Sequence, residues 1–285
     1  MDVSLIQVPY TLGDQRPGAG RGPERLLQGG ADRILAAAGV SGPVVRIERG
    51  APFRDSASAS LAVNRRLAAV VRQAVNDGRF PLVLAGSCEV SMGILAGFDH
   101  ARCGVVWFDA HGDFNTPEST ITGFFGGMPL AVITGHCYRN LWAQVGDSAP
   151  VAEAATLLLG VRDLDPAERE RLQGSAVRTV PWLEGRPQAD VEAALDELAA
   201  RVPEVYLHVD IDALDPEAVP GIGDYRSPGG LSLADMESAI RATAARFRIR
   251  AATLATYNPE DDADGSALRA CLRIIEVLAA CVRTQ

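Results

Sequence analysis

Lysine is absent from the 285 residues, so every cationic side chain apart from histidine is an arginine. That absence rules out a P-loop lysine, a lysine Schiff base and a lysine general base. Long apolar runs are also missing. None approaches the roughly 20 residues that a membrane helix needs, and the opening "MDVSLIQVPY" has no basic leader followed by an apolar stretch. The expectation is a soluble, cytoplasmic protein with no membrane partner. Positive charge is in deficit, with a formal net charge of −9. An acidic surface repels phosphate backbones and argues against nucleic acid as a partner. Cysteine is sparse, odd in number and scattered (five residues), which predicts free thiols. Cys103, Cys271 and Cys281 fall in apolar patterns and are expected in the core, whereas Cys88 sits in a loop-like context.

Short Val/Leu/Ile/Ala runs alternate with helical patterns. Strands are expected over 3–10, 81–86, 103–110, 155–163, 205–212 and 251–258, with a weaker one over 176–182. Helices are expected over 22–38, 58–77, 90–97, 165–174, 188–201, 232–246 and 265–282. Continuous apolar strands imply burial on both faces. The alternation then predicts an α/β protein, a three-layer α/β/α arrangement around a mainly parallel sheet. Asp165 ahead of Pro166 and Glu168, and Ser232 ahead of the turn of Glu237, read as helix starts. The Gly/Pro-rich stretches 184–190 and 220–230 read as loops. No repeat or low-complexity linker divides the chain, so 1–285 is taken as a single domain.

The chemistry concentrates at two strand ends. "CGVVWFDAHGDFNTP" delivers Asp109, His111 and Asp113, spaced two apart, and "HVDIDALDP" delivers Asp210 and Asp212. On a strand, residues two apart point the same way, so both sets can converge if the strands end at one edge. Bare, such carboxylates would repel one another and take up protons. Divalent cations resolve the conflict. Carboxylates with one imidazole suit a hard to borderline ion such as Mn²⁺, and the number of ligands allows two ions with bridging carboxylates, an arrangement that activates water near neutral pH. A lone Asp at a strand end is an ordinary cap or turn former; two clusters after such apolar strands are not.

"DAHGDFNTP" and "DIDALDP" resemble the signature motifs of the arginase/agmatinase (ureohydrolase) family. "VPYTLGDQRPGAGRGPERL", "GVRDLDPAERE", "GGLSLADM" and "TYNPEDDADG" resemble its other segments, so the likeness spans nearly the whole chain. The resemblance implies a three-layer α/β/α fold, a dimanganese centre, hydrolysis of a small-molecule guanidino or amidine compound, and a homo-oligomer. Carried over, Asp109, His111, Asp210 and Asp212 would hold one metal, with Asp109 and Asp210 bridging. Asp113 and the residue at the Cys88 position would complete the other, and Asp113 would also orient the nucleophile. Asn115, Thr120 and Thr122 match positions that hold an amino-acid carboxylate, and Asp165 and Glu168 match positions near the ammonium. As plain structure, these five are polar turn residues and a helix start.

Three positions depart from the pattern. Cys88, in "AGSCEVSMG", stands where the family has a histidine ligand; a soft thiolate favours Zn²⁺ or Fe²⁺ over Mn²⁺, and a small buried thiol is the structural alternative. Neighbouring Glu89 offers a carboxylate whose register points elsewhere. Gly126 replaces a proton-shuttle histidine, whose general-acid help is typically worth about 10²–10⁴-fold. Thr256 replaces a glutamate that pairs with the guanidinium, removing a charge-assisted pair. Amidinohydrolases acting on N-hydroxy-arginine are similar at "SCEVS" and "HGDFNTPE", with cysteine at the same position. The leading expectation is a metal-dependent hydrolase of a C–N bond in a linear amidine or guanidino compound, possible substrates including a modified guanidine such as N-hydroxy-arginine. The alternatives are a ureohydrolase-like scaffold that binds a metal or metabolite without turnover, and a phosphoesterase using arginines such as Arg162 and Arg226.

Overall fold

The computed structural model describes residues 1–12, 18–50, 55–146, 149–222 and 226–285. Residues 13–17 of the N-terminal Gly-rich motif and 223–225 of the expected 220–230 loop lie outside the described residues. The elements in chain order are β1 (Val3–Val8), α1 (Gly22–Gly29), α2 (Ala31–Ala37), β2 (Val44–Arg46), α3 (Ser56–Asn76), β3 (Phe80–Ala85), α4 (Ser91–Leu95) and β4 (Cys103–Phe108). Then come α5 (Pro129–Ile133), α6 (Arg139–Trp142), β5 (Thr156–Leu159), α7 (Pro166–Gln173), β6 (Arg178–Val180), β7 (Trp182–Leu183) and β8 (Arg186–Pro187). The chain ends with α8 (Val191–Ala199), β9 (Glu204–Asp210), α9 (Leu233–Arg246), β10 (Arg248–Ala255) and α10 (Ser266–Arg283).

Eight strands form one sheet in the order β2-β1-β3-β10-β9-β4-β5-β6, and every neighbouring pair is parallel. Successive residues of a strand point to opposite faces, so the inner strands feed two cores. Leu5, Leu82, Val106 and Leu207 pack with residues of α1, α2, α8, α9 and α10. Ile6, Val83, Val105, Trp107 and Tyr206 pack with residues of α3, α4, α5 and α6. This is the expected α/β/α sandwich. The six inner strands need little polar alternation because both their faces are covered, whereas the edge strands β2 and β6 are partly exposed.

Several local expectations change. The expected 22–38 helix is two helices, because Gly30 adopts a left-handed φ of 105° that closes α1 and opens α2. β2, α5 and α6 were not anticipated; each is only three to five residues long, too short for a periodic signal. The 184–190 stretch contains part of the β7–β8 hairpin rather than only a loop. Ser232 caps α9 through a reciprocal box with Asp235, not with Glu237. Asp165 stands at the start of α7 without capping it, because its side chain is used elsewhere.

The connectivity sets the site. After β3 the chain passes over two places in the sheet to form β4, and only later do β9 and β10 fill the gap. Ligand sites in open parallel sheets form beyond the carboxyl ends of the strands, where such a reversal occurs. Here the ends of β3, β10, β9 and β4 lie side by side.

Candidate metal centre and substrate cavity

The acidic residues converge, but not by strand alternation as the sequence suggested. β4 stops at Phe108, and Asp109, His111 and Asp113 lie on the loop after it. Asp113 holds a left-handed φ of 48°. Asp210 is the last residue of β9, and Asp212 sits in the single 3₁₀ turn that follows. Backbone bonds fix these turns. The His111 N–H donates to Asp109 Oδ1 (2.7 Å), the Ala110 N–H to Asp212 Oδ1 (3.0 Å), and the Asp212 N–H to Asp210 Oδ1 (2.9 Å).

Two groups of potential metal-binding atoms result. Cys88, Asp109 and Asp210 form one, and Asp109, His111 and Asp212 the other; within each group the ligand atoms lie within 4.8 Å of one another. Asp109 belongs to both. His111 Nδ1 lies 3.0 Å from Asp212 Oδ2 and 3.4 Å from Asp109 Oδ1. The Cys88 thiol donates to Asp210 Oδ2 (3.0 Å). Asp113 belongs to neither group but is buried beside them, and its Oδ2 has no hydrogen-bond donor. Glu89 is buried, bonded by the Ser87 hydroxyl, and is not a wall residue of the cavity.

The electrostatics show the cost of leaving this cluster without cations. Burial, then the Asp212 charge, pushes Asp109 up to about 6. Burial and neighbouring carboxylates hold Asp113 and Asp210 well above the usual carboxylate range. Burial opposes the His111 imidazolium, yet Asp212 and Asp109 override it and raise its pKa to about 12. Burial acts to raise Asp212, but His111, the Ala110 N–H and Asp109 together hold it below the usual carboxylate range. Burial and Asp210 raise the Cys88 thiol well above normal. Protons do here what divalent cations would do. Four carboxylates, one of them Asp113 with an unpartnered buried oxygen, together with an imidazole and a thiol are a donor set that fits two such ions.

A cavity of about 520 Å³ opens over the cluster. Asn115, Thr120, Thr122, Asp165 and Glu168 all line it, as does Gly126, which leaves that wall without an acid. Asn115 Nδ2 donates to Asp165 Oδ2 (3.1 Å), and the Phe114 N–H donates to Glu168 Oε1 (2.9 Å). Burial drives Glu168 up to about 7. The hydroxyls of Thr120 and Thr122 accept from the Gly123 and Phe124 N–H groups, so both are turned into their own loop. Thr256 also lines the cavity. It holds a φ of 67°, rare for a β-branched residue, and is fastened by its N–H to Ala85 O (3.1 Å) and its hydroxyl to Asp210.

Some contributors escaped the sequence reading. Asp163 lines the cavity, two residues before Asp165. The Ser119 hydroxyl donates to Asn115 Oδ1 (2.8 Å) and so orients that amide. Trp107 Nε1 donates to Asp109 Oδ2 (2.9 Å), while its ring stacks on His208 with centroids 3.7 Å apart. The signal for Trp107 was present: it precedes Asp109 by two residues at the end of an apolar strand. Trp107→Phe keeps an aromatic ring at the position but removes the N–H together with the five-membered part of the indole. Metal affinity should fall about 10–100-fold, the usual cost of losing a group that steadies a ligand, with an unchanged circular dichroism spectrum; calorimetric titration with Mn²⁺ measures it.

The two arginines named for the phosphoesterase alternative do not serve it. All five N–H groups of Arg162 are spent on the carbonyls of Gly160, Asp212, Ala213, Leu214 and Ser227. Arg226 donates to Ile222 O and is not a wall residue, and among the described residues no arginine lines the cavity.

Comparison with known proteins agrees with the site. The model of the Arginase family matches residues 1–280. The chain belongs to the arginase family. This arginase-family chain is 34% identical over 274 residues to an arginase of Bacillus caldovelox, covering 90% of this chain and 91% of the relative. It is 32% identical over 216 residues to an N(omega)-hydroxy-L-arginine amidinohydrolase of Streptomyces lavendulae, covering 74% of each. The solved structure of native Bacillus caldovelox arginase at pH 5.6 superposes with a TM-score of 0.87 at 30% identity, covering 98% of this chain and 97% of that one. Among the described residues, no helix is long and apolar enough to cross a membrane.

Proposed function

We propose that this arginase-family chain hydrolyses a C–N bond of a linear guanidino or amidine compound at a binuclear divalent-metal centre, Mn²⁺ being the family's usual ion and Zn²⁺ or Fe²⁺ competing through Cys88. The observation that carries the reading is the pair of ligand groups sharing Asp109 beneath a cavity with acidic walls. Bound there, two divalent cations would neutralise the cluster and supply Lewis acidity that activates water near neutral pH. Cys88, Asp109 and Asp210 would hold one ion, and Asp109, His111 and Asp212 the other. Asp113 offers its unpartnered Oδ2 as acceptor for a proton of the attacking water. Asp165 and Glu168 suit a substrate ammonium, and Asn115, Thr120 and Thr122 a substrate carboxylate. The whole chain, 1–285, serves as one domain in this reading, since the family match runs from residue 1 to 280.

Thr256 and Gly126 narrow the substrate. No carboxylate stands at the Thr256 position to pair with a full guanidinium, and no imidazole at Gly126 to protonate a poor leaving group. A less basic guanidine, such as an N-hydroxyguanidine, matches this wall better than arginine itself, and the Streptomyces lavendulae relative supports it. Release of urea or hydroxyurea from arginine, N-hydroxy-arginine, agmatine and guanidinobutyrate, with Mn²⁺, Zn²⁺ or Fe²⁺ added, tests the proposal. N-hydroxy-arginine should give the highest kcat/KM. No turnover of any of them with any of the three ions would overturn it in favour of a scaffold that binds without reacting.

A further inference from the structure

A polar row crosses three neighbouring strands in the middle of the sheet. Along β9, Val205, Leu207 and Val209 turn to the core that includes α8, α9 and α10, so Tyr206, His208 and Asp210 turn to the opposite face. The register sets His208 beside Trp107 of β4 on one side and Thr253 of β10 on the other. Trp107, Tyr206, His208 and Thr253 are all fully buried. Two residues further on, where β4 and β9 end, stand Asp109 and Asp210.

Polar groups placed this deep are costly unless they are hydrogen-bonded. The Tyr206 hydroxyl lies 2.9 Å from His208 Nδ1 and 2.8 Å from Thr253 Oγ1. It has one proton, so it donates to one of them and accepts from the other. His208 Nε2 is different: it has no hydrogen-bond partner among the described residues. Half the polar capacity of this histidine is unused, so hydrogen bonding alone does not account for its presence. Its other contribution is a ring face. The imidazole lies against the Trp107 indole with centroids 3.7 Å apart and planes within 16° of each other. That stack fixes the tilt of the indole. The indole N–H lies in the ring plane and donates to Asp109 Oδ2 (2.9 Å), while the His111 N–H holds Asp109 Oδ1 (2.7 Å).

We infer that His208 is a positioning residue for the ligand shared by the two ion sites. Thr253 and Tyr206 fix the imidazole plane, and the imidazole fixes the indole plane. The indole N–H then holds the Asp109 carboxylate in the orientation that leaves a lone pair on each oxygen for an ion. The inference rests on the metal-centre reading above and does not require turnover. Its distinguishing consequence is that His208 and Tyr206 act on metal affinity only through Trp107.

The chain has three tryptophans, so isotope labelling of tryptophan nitrogen gives three indole N–H resonances, and Trp107→Phe identifies the one that belongs to Trp107. Trp142, whose Nε1 donates to Met92 O (3.0 Å), and Trp182, whose buried Nε1 has no partner among the described residues, serve as internal references. Hydrogen exchange of the three is measured in metal-free protein, and Mn²⁺ affinity by calorimetric titration. The proteins are the wild type, Tyr206→Phe, His208→Asn, Trp107→Phe, and each of the first two variants combined with Trp107→Phe. Tyr206→Phe removes a single oxygen. His208→Asn removes the ring face and keeps a polar atom within reach of Tyr206. Both should speed exchange at Trp107 about tenfold and leave Trp142 and Trp182 unmoved. Both should lower Mn²⁺ affinity about two- to tenfold, the net worth of one hydrogen bond. In the Trp107→Phe background neither should lower it further. Affinity losses that add to that of Trp107→Phe, or unchanged exchange at Trp107 in both variants, would overturn the inference. If His208→Asn does not fold, Tyr206→Phe decides by the same two readings. If the wild type takes up no Mn²⁺, the metal-centre reading falls and exchange alone decides the positioning: acceleration confined to Trp107 supports it, and none overturns it.

Discussion

Asp109→Asn should lower hydrolysis by at least about 10³-fold, roughly 4 kcal/mol of transition-state stabilisation, and should leave fewer than two ions bound per chain. The size follows from position. Asp109 is the residue common to both ligand groups, so its loss weakens both ion sites. The substitution is nearly isosteric, yet the amide cannot be accommodated without conflict. One carboxylate oxygen accepts from the His111 N–H and the other from Trp107 Nε1. Whichever way the asparagine is turned, its NH₂ faces a donor, at a cost of about 1–3 kcal/mol for the unmet buried group. Metal analysis and steady-state rates measured on the same preparation check the result, with thermal unfolding as the control for folding. Full activity with two ions retained would mean that Asp109 does not bridge them.

Cys88→His should shift metal preference toward Mn²⁺ by about 10–100-fold in the ratio of Mn²⁺ to Zn²⁺ affinity, because it replaces a soft thiolate by a borderline imidazole. The thiol sits 3.0 Å from Asp210, between that carboxylate and the end of β3. Cys88→Ser is the companion variant. Its hydroxyl can still donate to Asp210, but it cannot serve as a thiolate, so affinity should fall for Zn²⁺ more than for Mn²⁺. Competition titrations with a fluorescent chelator read both. If neither variant alters the ratio, Cys88 packs against the cluster without binding an ion, and the second site is built from Asp109, Asp113 and Asp210 alone.

Much of this was legible in the residues. The strands buried on both faces announced a sheet covered on two sides, and Asp109, His111, Asp113, Asp210 and Asp212 announced their own convergence. The reason assigned to the convergence was wrong in detail. A two-residue period on a strand was the expected cause, whereas loop backbone bonds and the left-handed turn at Asp113 produce it. Those are tertiary features, invisible to a periodicity that ends with the strand. Asp165 illustrates the same limit. Ahead of Pro166 it reads as a helix cap, yet its carboxylate turns to Asn115, fifty residues away in the chain. Arg162 read as a free cation for phosphate, because nothing local announces the five carbonyls that surround it. The described wall opposite Asp165 and Glu168 was not legible at all, since it joins residues from the two ends of the chain, Thr11 and Ala19 with Thr256 and Asn258.

The most direct test is a crystal structure of protein soaked with Mn²⁺, and separately with Zn²⁺, with anomalous scattering recorded for each metal. Two ions per chain should appear, one touching Cys88, Asp109 and Asp210 and the other Asp109, His111 and Asp212, with the Cys88 sulfur about 2.3–2.5 Å from bound Zn²⁺. An anomalous map with no peak between these side chains at saturating metal, from protein that also takes up no metal in solution, would contradict the account.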